Sequence, residues 1–303
     1  MQDRPRSRRL LFGLVAFVLL LAALAAFAML NPALIVNALA PRTGIDVRAS
    51  LPYGDGPRRT LDVYAPHGAR NAPVIVFFYG GSWQRGSKEA YRFVAAELAR
   101  RGFVAVVPDY TVYPAARFPD FLEDGAKAVA WTRANASSFG GNAEALMLMG
   151  HSAGAHIATM LAFDARWLAS HGLQSRKDIA AVIGLAGPYD FLPIKDPIIR
   201  EIFAVPDQAV TQPITFVEGG EPPVWLGVAA SDTTVRPGNS ERLAARLRSK
   251  GGEVALRSYN RASHISLIGA FSPLLRVLGP VADDVAAFAA RAADRRSAGP
   301  VRP

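Results

Sequence analysis

The residue pattern with the clearest chemical content is Gly-His-Ser-Ala-Gly at residues 150–154. A serine hydroxyl at the tip of a very tight strand-to-helix turn is exposed for nucleophilic attack. Such a turn tolerates only small residues two positions before and after the serine. Gly150 and Gly154 meet that requirement, and Ala153 keeps the turn small. The spacing therefore predicts that Ser152 is a nucleophile on a strand–turn–helix elbow.

A serine hydroxyl is a weak nucleophile at neutral pH, so it needs a base, and the base needs an acid that orients it. On folds with this elbow the chain order is serine, then acid, then histidine. Of the five histidines, His264 follows the last predicted strand and is therefore the predicted base. Structural positions are expected for the other four, which are His67, His151, His156 and His171.

The acid is expected after the strand that precedes the last one. Asp232 follows the predicted strand at residues 224–230 and is the preferred acid. Asp190, after the strand before that, is the alternative. Asp109 follows an earlier strand, and we expect it to support a turn.

Acyl transfer also needs hydrogen-bond donors aimed at the developing oxyanion. One is the backbone N–H of Ala153, directly after the nucleophile. Others are expected from residues 79–83, Tyr-Gly-Gly-Ser-Trp, because glycine lets a backbone approach the substrate closely. An ordinary glycine-rich loop is the alternative interpretation of this segment.

The elements that must position these residues alternate along the chain. Alternation of apolar and polar residues predicts a strand at residues 59–64, and further strands are predicted at residues 73–79, 103–107, 145–149, 178–185, 224–230 and 254–259. Periodicity predicts helices at residues 88–101, 119–137, 155–162, 238–250 and 281–293. This order predicts an α/β fold with a doubly wound, mostly parallel sheet and helices on both faces. The predicted site residues follow strands, so they should share one edge of the sheet.

Residues 189–220 are irregular and are predicted to form a cap or insertion. Their large apolar side chains either line an apolar substrate pocket or fill a core under a long loop. These side chains are Phe191, Ile194, Ile198, Ile199, Phe203 and Phe216.

Composition restricts the function classes. The 303-residue chain has no cysteine, which excludes disulfides, thiol catalysis and cysteine-based metal sites. Its net charge of +9 is concentrated at the ends, because residues 1–10 and residues 291–303 contribute +3 each. The remaining charge is too small and dispersed to indicate a nucleic-acid-binding surface.

The N-terminal part has the pattern of a membrane segment. Residues 1–9 form a basic region, and the apolar stretch at residues 10–30 is long enough, at about 1.5 Å per residue, to span roughly 30 Å as a helix. The arginines are expected to stay cytoplasmic, which places the rest of the chain on the outer, periplasmic side. An uncleaved signal anchor is favoured, and a cleaved secretory signal is the alternative. Residues 31–46 are then a connector, residues 47–293 the catalytic domain and residues 294–303 a flexible basic tail.

Together these motifs resemble the carboxylesterase branch of the α/β-hydrolases, which includes hormone-sensitive-lipase-like esterases, feruloyl-esterase-like proteins, isoprenylcysteine methylesterases and kynurenine formamidases. The resemblance covers about residues 47–293. It rests on the elbow, on residues 79–83 as the His-Gly-Gly-x-Trp loop of that branch, and on residues 109–114 as its Asp-Tyr-x-x-x-Pro segment. It implies that Gly81 and Ser82 supply oxyanion donors together with Ala153. Tyr79 stands where that branch has histidine, and Ser82 where it frequently has glycine.

The elbow and the loop also need supporting residues. These are Tyr79, Gly80, Trp83, Gly150 and Gly154. The expected activity is hydrolysis of carboxylic esters through a covalent acyl-enzyme, and the insertion's side chains favour an apolar acyl group. No metal or organic cofactor is required for this chemistry. The same residues could cleave amides or formamides, and a non-catalytic binding protein of the cell envelope is a further alternative. The sequence gives no oligomeric state.

Overall fold

The computed structural model describes residues 14–15, 17–19, 32–40 and 43–297. The strands are β1 (Ile45–Pro52), β2 (Thr60–Pro66), β3 (Ala72–Phe78), β4 (Val104–Pro108), β5 (Gly141–His151), β6 (Ala181–Leu185), β7 (Val224–Ala229) and β8 (Val254–Tyr259). The helices are α1 (Pro32–Ala38), α2 (Arg92–Arg100), α3 (Asp120–Asn135), α4 (Ala153–Phe163), α5 (Ala165–Ala169), α6 (Ser175–Asp178), α7 (Pro197–Ile202), α8 (Gly238–Ser249), α9 (His264–Gly269) and α10 (Val281–Ser297).

The strands form one sheet in the order β1-β2-β4-β3-β5-β6-β7-β8. β1 and β2 run antiparallel to their neighbours, and all other pairs are parallel. Every residue of β4 and β6 is buried, as a sheet covered on both faces requires. The prediction of an α/β fold with a mostly parallel sheet is therefore confirmed.

The helices lie on both faces because the crossovers change direction along the sheet. The connection through α2 runs from β3 to β4, whereas the connection through α3 runs back from β4 to β5. Right-handed crossovers place these two helices on opposite faces. α10 joins the face of α2, where Arg101 pairs with Asp283 at 2.6 Å.

Two elements near the N-terminus have no counterpart among the sequence predictions. β1 is an edge strand whose side chains are mostly exposed, so it lacks the apolar pattern that identified the other strands. α1 lies within the segment that the sequence indicates as a connector. Asn37 fixes this helix to the domain: its Nδ2 donates to the carbonyls of Glu89 (2.9 Å) and Ala90 (3.1 Å), and its Oδ1 accepts from the N–H of Phe93 (2.9 Å).

The predicted membrane segment at residues 10–30 lies outside the described residues except for five positions. Residues 14–15 and 17–19 are helical, and their side chains are exposed. In the described part of the chain, the structure has no helix with the length and apolarity needed to traverse a bilayer. At the other end, α10 continues to Ser297, four residues past the predicted helix.

The insertion at residues 189–220 contains α7 and two short 3₁₀ turns, Gln208–Thr211 and Pro213–Phe216. Its apolar side chains divide between the two expected roles. Phe203 is fully buried in an aromatic cluster, while Phe191, Ile194 and Ile199 line a cleft beside Ser152. Ile198 is exposed, and Phe216 packs half-buried against the core with the Arg166 guanidinium 5.7 Å from its ring centre.

Candidate active site

The elbow joins β5 to α4 at Ser152, whose φ of 54° and ψ of −123° are strained for a non-glycine residue. Steric crowding requires glycine at both flanking positions. A Cβ on Gly150 would lie 2.1 Å from the Gly154 carbonyl oxygen, and one on Gly154 would lie 2.0 Å from the Phe78 carbonyl oxygen. Since real Cβ atoms do not approach so closely, only glycine fits at either position. The turn is also tied to the next strand, because the N–H of Ser152 donates to Leu185 at 2.8 Å.

His264 is the first residue of α9. Ser263 caps this helix through a capping box with Ser266, which fixes the backbone on which the imidazole is mounted. The Nε2 atom of His264 lies 2.9 Å from the Ser152 hydroxyl oxygen. In this geometry Nε2 can accept the serine proton.

Asp232 lies in the turn after β7 and is almost completely buried. Its Oδ2 accepts a 2.7 Å hydrogen bond from Nδ1 of His264, and its Oδ1 accepts from the N–H groups of Thr234 (2.9 Å) and Val235 (3.0 Å). These two amides orient the carboxylate, and sequence reasoning did not identify them because any residue type supplies an N–H. Asp190 instead pairs with Arg242 of α8 and is not bonded to His264.

The loop after β3 lies against the elbow at Gly80, where a Cβ would be 3.1 Å from the Ser152 Cβ and 2.9 Å from Nδ1 of His151. At Gly81, φ is +143° and a Cβ would lie 1.9 Å from the Arg85 carbonyl oxygen. Among the described residues, the N–H groups of Gly81 and Ser82 have no backbone acceptor. Ala153 begins α4, so its N–H has no intrahelical acceptor either. All three donors therefore remain available to a ligand.

Tyr79 braces the base of this loop. Its hydroxyl donates to Oδ1 of Asp109 at 2.6 Å and accepts from Nη2 of Arg58 at 2.8 Å. The same Oδ1 accepts from the N–H of Lys88 at 2.8 Å, and Arg58 Nη2 also donates to the Gly86 carbonyl. Burial raises the pKa of Asp109, while the Tyr79 hydroxyl opposes that rise. Both ends of the loop are thus attached to one buried carboxylate.

Trp83 connects the loop to the insertion. Its ring centre lies 4.7 Å from that of Phe203, 5.2 Å from that of His156 and 6.1 Å from that of Phe191. His156 of α4 donates from Nε2 to the Thr211 carbonyl at 2.8 Å, and burial lowers its pKa to about 4. The elbow helix, the loop and the insertion therefore pack around one aromatic cluster.

His151 also contacts the predicted base. Its ring centre lies 4.9 Å from that of His264, and its Nε2 donates to the His264 carbonyl at 2.9 Å. Burial, and after it the neighbouring His264, lowers the pKa of His151 to about 3, so this imidazole is neutral. The sequence indicated a packed residue beside the elbow and gave no sign of the His264 contact, because the two histidines lie 113 positions apart in the chain.

Two clefts meet at Ser152. One, of about 600 Å³, is lined by apolar side chains such as Phe93 and Ile268, and also by His264, Arg85 and several hydroxyl side chains. The other, of about 580 Å³, lies under the insertion and includes Arg236 and Arg242 in its wall. A carbonyl group bound at Ser152 would therefore have an apolar space on one side and a more polar space on the other.

A mostly parallel sheet with a Gly-x-Ser-x-Gly elbow and a histidine after its last strand defines an α/β-hydrolase. Residues 61–247 match the BD-FAE family. The chain belongs to that family, and its predicted resemblance to the carboxylesterases is confirmed.

Relatives and solved structures agree with this assignment. The chain is 35% identical over 175 residues to a probable isoprenylcysteine α-carbonyl methylesterase of Arabidopsis thaliana, covering 56% of this chain and 42% of that protein. It is 27% identical over 226 residues to the kynurenine formamidase of Danio rerio, covering 72% and 74% of the two chains. An inhibited esterase B from Lactobacillus rhamnosis has the same fold, with a TM-score of 0.73 at 16% identity and coverage of 93% and 96%. The chain spans about half the length of the plant methylesterases that it matches.

Proposed function

We propose that this protein is a serine hydrolase that cleaves carboxylic esters through a covalent acyl-enzyme. The observation that carries the proposal is the pair of hydrogen bonds joining Ser152 to His264 at 2.9 Å and His264 to Asp232 at 2.7 Å. Membership of the BD-FAE family and the similarity to a probable methylesterase support an ester as the substrate.

In the first half of the reaction, the Ser152 oxygen attacks the ester carbonyl while His264 takes the hydroxyl proton. Asp232 holds the imidazole with Nδ1 protonated and stabilises the imidazolium that forms. The N–H groups of Gly81, Ser82 and Ala153 stabilise the oxyanion. His264 then gives its proton to the leaving alcohol, and in the second half it activates the water that releases the acid.

The test compares the wild-type protein with Ser152→Ala on p-nitrophenyl acetate and with a fluorophosphonate probe. We expect hydrolysis and labelling by the wild type, and loss of both in the variant at unchanged thermal stability. A folded wild-type protein that neither hydrolyses the ester nor reacts with the probe would overturn the proposal.

A formamide or amide is the second candidate substrate, because a kynurenine formamidase matches 72% of the chain. The same nucleophile and base serve both reactions, but an amide needs stronger protonation of its leaving group. Comparing kcat/KM for a formanilide and an aryl acetate of equal ring substitution distinguishes them. A formanilide preference would assign the protein to amide hydrolysis.

We also propose that residues 10–30 anchor the protein in the cytoplasmic membrane with its catalytic domain on the periplasmic side. Four arginines precede this stretch, and the large apolar side chains described within it, such as Leu14 and Phe17, are exposed. If the segment is instead cleaved as a secretory signal, mass spectrometry will show a mature chain of lower mass, and the protein will be released from the membrane fraction without detergent. Protease added to spheroplasts should degrade the catalytic domain, and resistance to the protease would overturn the proposed orientation.

A further inference from the structure

The helix that follows the predicted membrane segment forms part of the cleft at Ser152. Val36 of α1 lines the largely apolar cleft of about 600 Å³, as do Ile268 and Leu275. The cleft thus has a wall contributed by the chain directly after residues 10–30.

Asn37 keeps this wall in place. Its side chain makes three hydrogen bonds to the backbone of Glu89, Ala90 and Phe93, and both Ala90 and Phe93 line the same cleft. One residue separates the apolar stretch at residues 10–30 from Pro32, where α1 begins. Because α1 is fixed to the cleft, the proposed anchor at residues 10–30 would hold the cleft close to the bilayer surface.

Two elements that line the cleft carry exposed apolar side chains. Ile265, which lines it, is 71% exposed, and Leu274 and Val277, on the short helix that carries Leu275, are 55% and 71% exposed. Large apolar side chains exposed together mark a surface that contacts a partner or a membrane. Here the adjoining apolar segment indicates the membrane.

We propose that the substrate is an amphiphilic ester held in the bilayer, whose apolar chain enters the cleft between α1 and α9, and that Val36 sets the width available to it. This inference rests on the proposed ester hydrolysis at Ser152 and on the proposed anchor at residues 10–30. In a cleft of this kind each additional buried methylene should favour binding by about fourfold until the space is filled.

The test uses the full chain reconstituted in phosphatidylcholine vesicles. Two substrates are compared: water-soluble p-nitrophenyl acetate, and p-nitrophenyl palmitate carried in the bilayer. We expect kcat/KM to be higher for the palmitate ester than for the acetate ester. The palmitate ester should also react at least tenfold faster when it is in the same vesicles as the enzyme than when it is supplied in separate vesicles. Val36→Trp should lower the palmitate-to-acetate ratio of kcat/KM at least tenfold. Val36→Phe, a smaller change, should lower it less.

The matched control is Ala38→Trp, which adds the same side chain at an exposed position of the same helix. It should leave the palmitate-to-acetate ratio within threefold of wild type. A ratio that Val36→Trp and Val36→Phe leave unchanged, or equal rates from shared and separate vesicles, would overturn this inference while Ser152-dependent acetate hydrolysis upholds the proposed function. Failure to hydrolyse either ester, with no fluorophosphonate labelling, would overturn the proposed function itself.

Discussion

Replacing Tyr79 with phenylalanine removes one hydroxyl from the brace beneath the oxyanion loop. That hydroxyl donates to the buried carboxylate of Asp109 at 2.6 Å and accepts from Arg58 at 2.8 Å. The ring stays between those of Tyr91 and Tyr110, so its packing is unchanged. The variant therefore tests hydrogen bonding separately from volume.

The expected loss of stability follows from the charged partners of the hydroxyl. A hydrogen bond to a charged group contributes about 1.5–3 kcal/mol, so the free energy of unfolding should fall by about that amount. For a domain of about 250 residues this lowers Tm by roughly 3–6 °C. Removing an entire oxyanion donor lowers kcat by about 10²–10³-fold. Displacing the loop while keeping its donors should lower kcat less, by about 10–100-fold.

The assay measures kcat and KM on p-nitrophenyl acetate and Tm by differential scanning calorimetry. Tyr259→Phe is the matched control, because the Tyr259 hydroxyl also bonds a carboxylate, Asp284 of α10, away from the loop. Both variants should lose similar stability, and only Tyr79→Phe should lose kcat. If the two variants keep equal kcat at equal loss of Tm, the brace contributes to stability alone and the reasoning about the loop is refuted.

Two further predictions concern the acid and the buried histidines. Asp232→Asn should lower kcat by about 10⁴-fold, by analogy with other triads. Asp190→Asn should leave kcat nearly unchanged, because that carboxylate pairs with Arg242. Equal losses of kcat for the two variants in steady-state assays would contradict this assignment. His151 and His156 have pKa values lowered to about 3 and about 4, so between these values and about 6.5 only the unfolded chain binds their protons. Stability should therefore fall as pH drops below about 6.5, by about 2 kcal/mol per histidine at pH 5. Urea unfolding at pH 8 and pH 5 measures this loss, and His156→Gln should reduce it by about half; an unchanged pH dependence in that variant would refute the burial argument.

The local elements could be predicted wherever the pattern is strong. Seven strands could be predicted because most of them are buried on both faces and so have apolar runs, whereas β1 is an exposed edge strand without that pattern. α1 was not predicted for a related reason. It is short, and its contacts are made by the Asn37 side chain with residues more than fifty positions away, which no local pattern records.

The supporting contacts of the site show the same limit. The glycines of the elbow follow from sterics within a few residues, and the sequence indicated them. The hydrogen-bond partners of Tyr79 could not be predicted from the sequence, because Arg58 and Asp109 reach it from different strands and loops. The division of residues 189–220 between core and cleft was likewise open, since both roles favour the same apolar residue types.

By itself the sequence determined the fold class, the elbow at Ser152 and the short set of residues able to serve as base and acid, because small-residue spacing, strand patterning and chain order are local or topological properties. Only the tertiary structure decided that His264 bonds Asp232 while Asp190 pairs with Arg242, that His151 contacts His264, and that Val36 enters the cleft at Ser152. The physical reason is that hydrogen bonding and packing depend on distances of a few ångströms between side chains that the chain brings together from far apart.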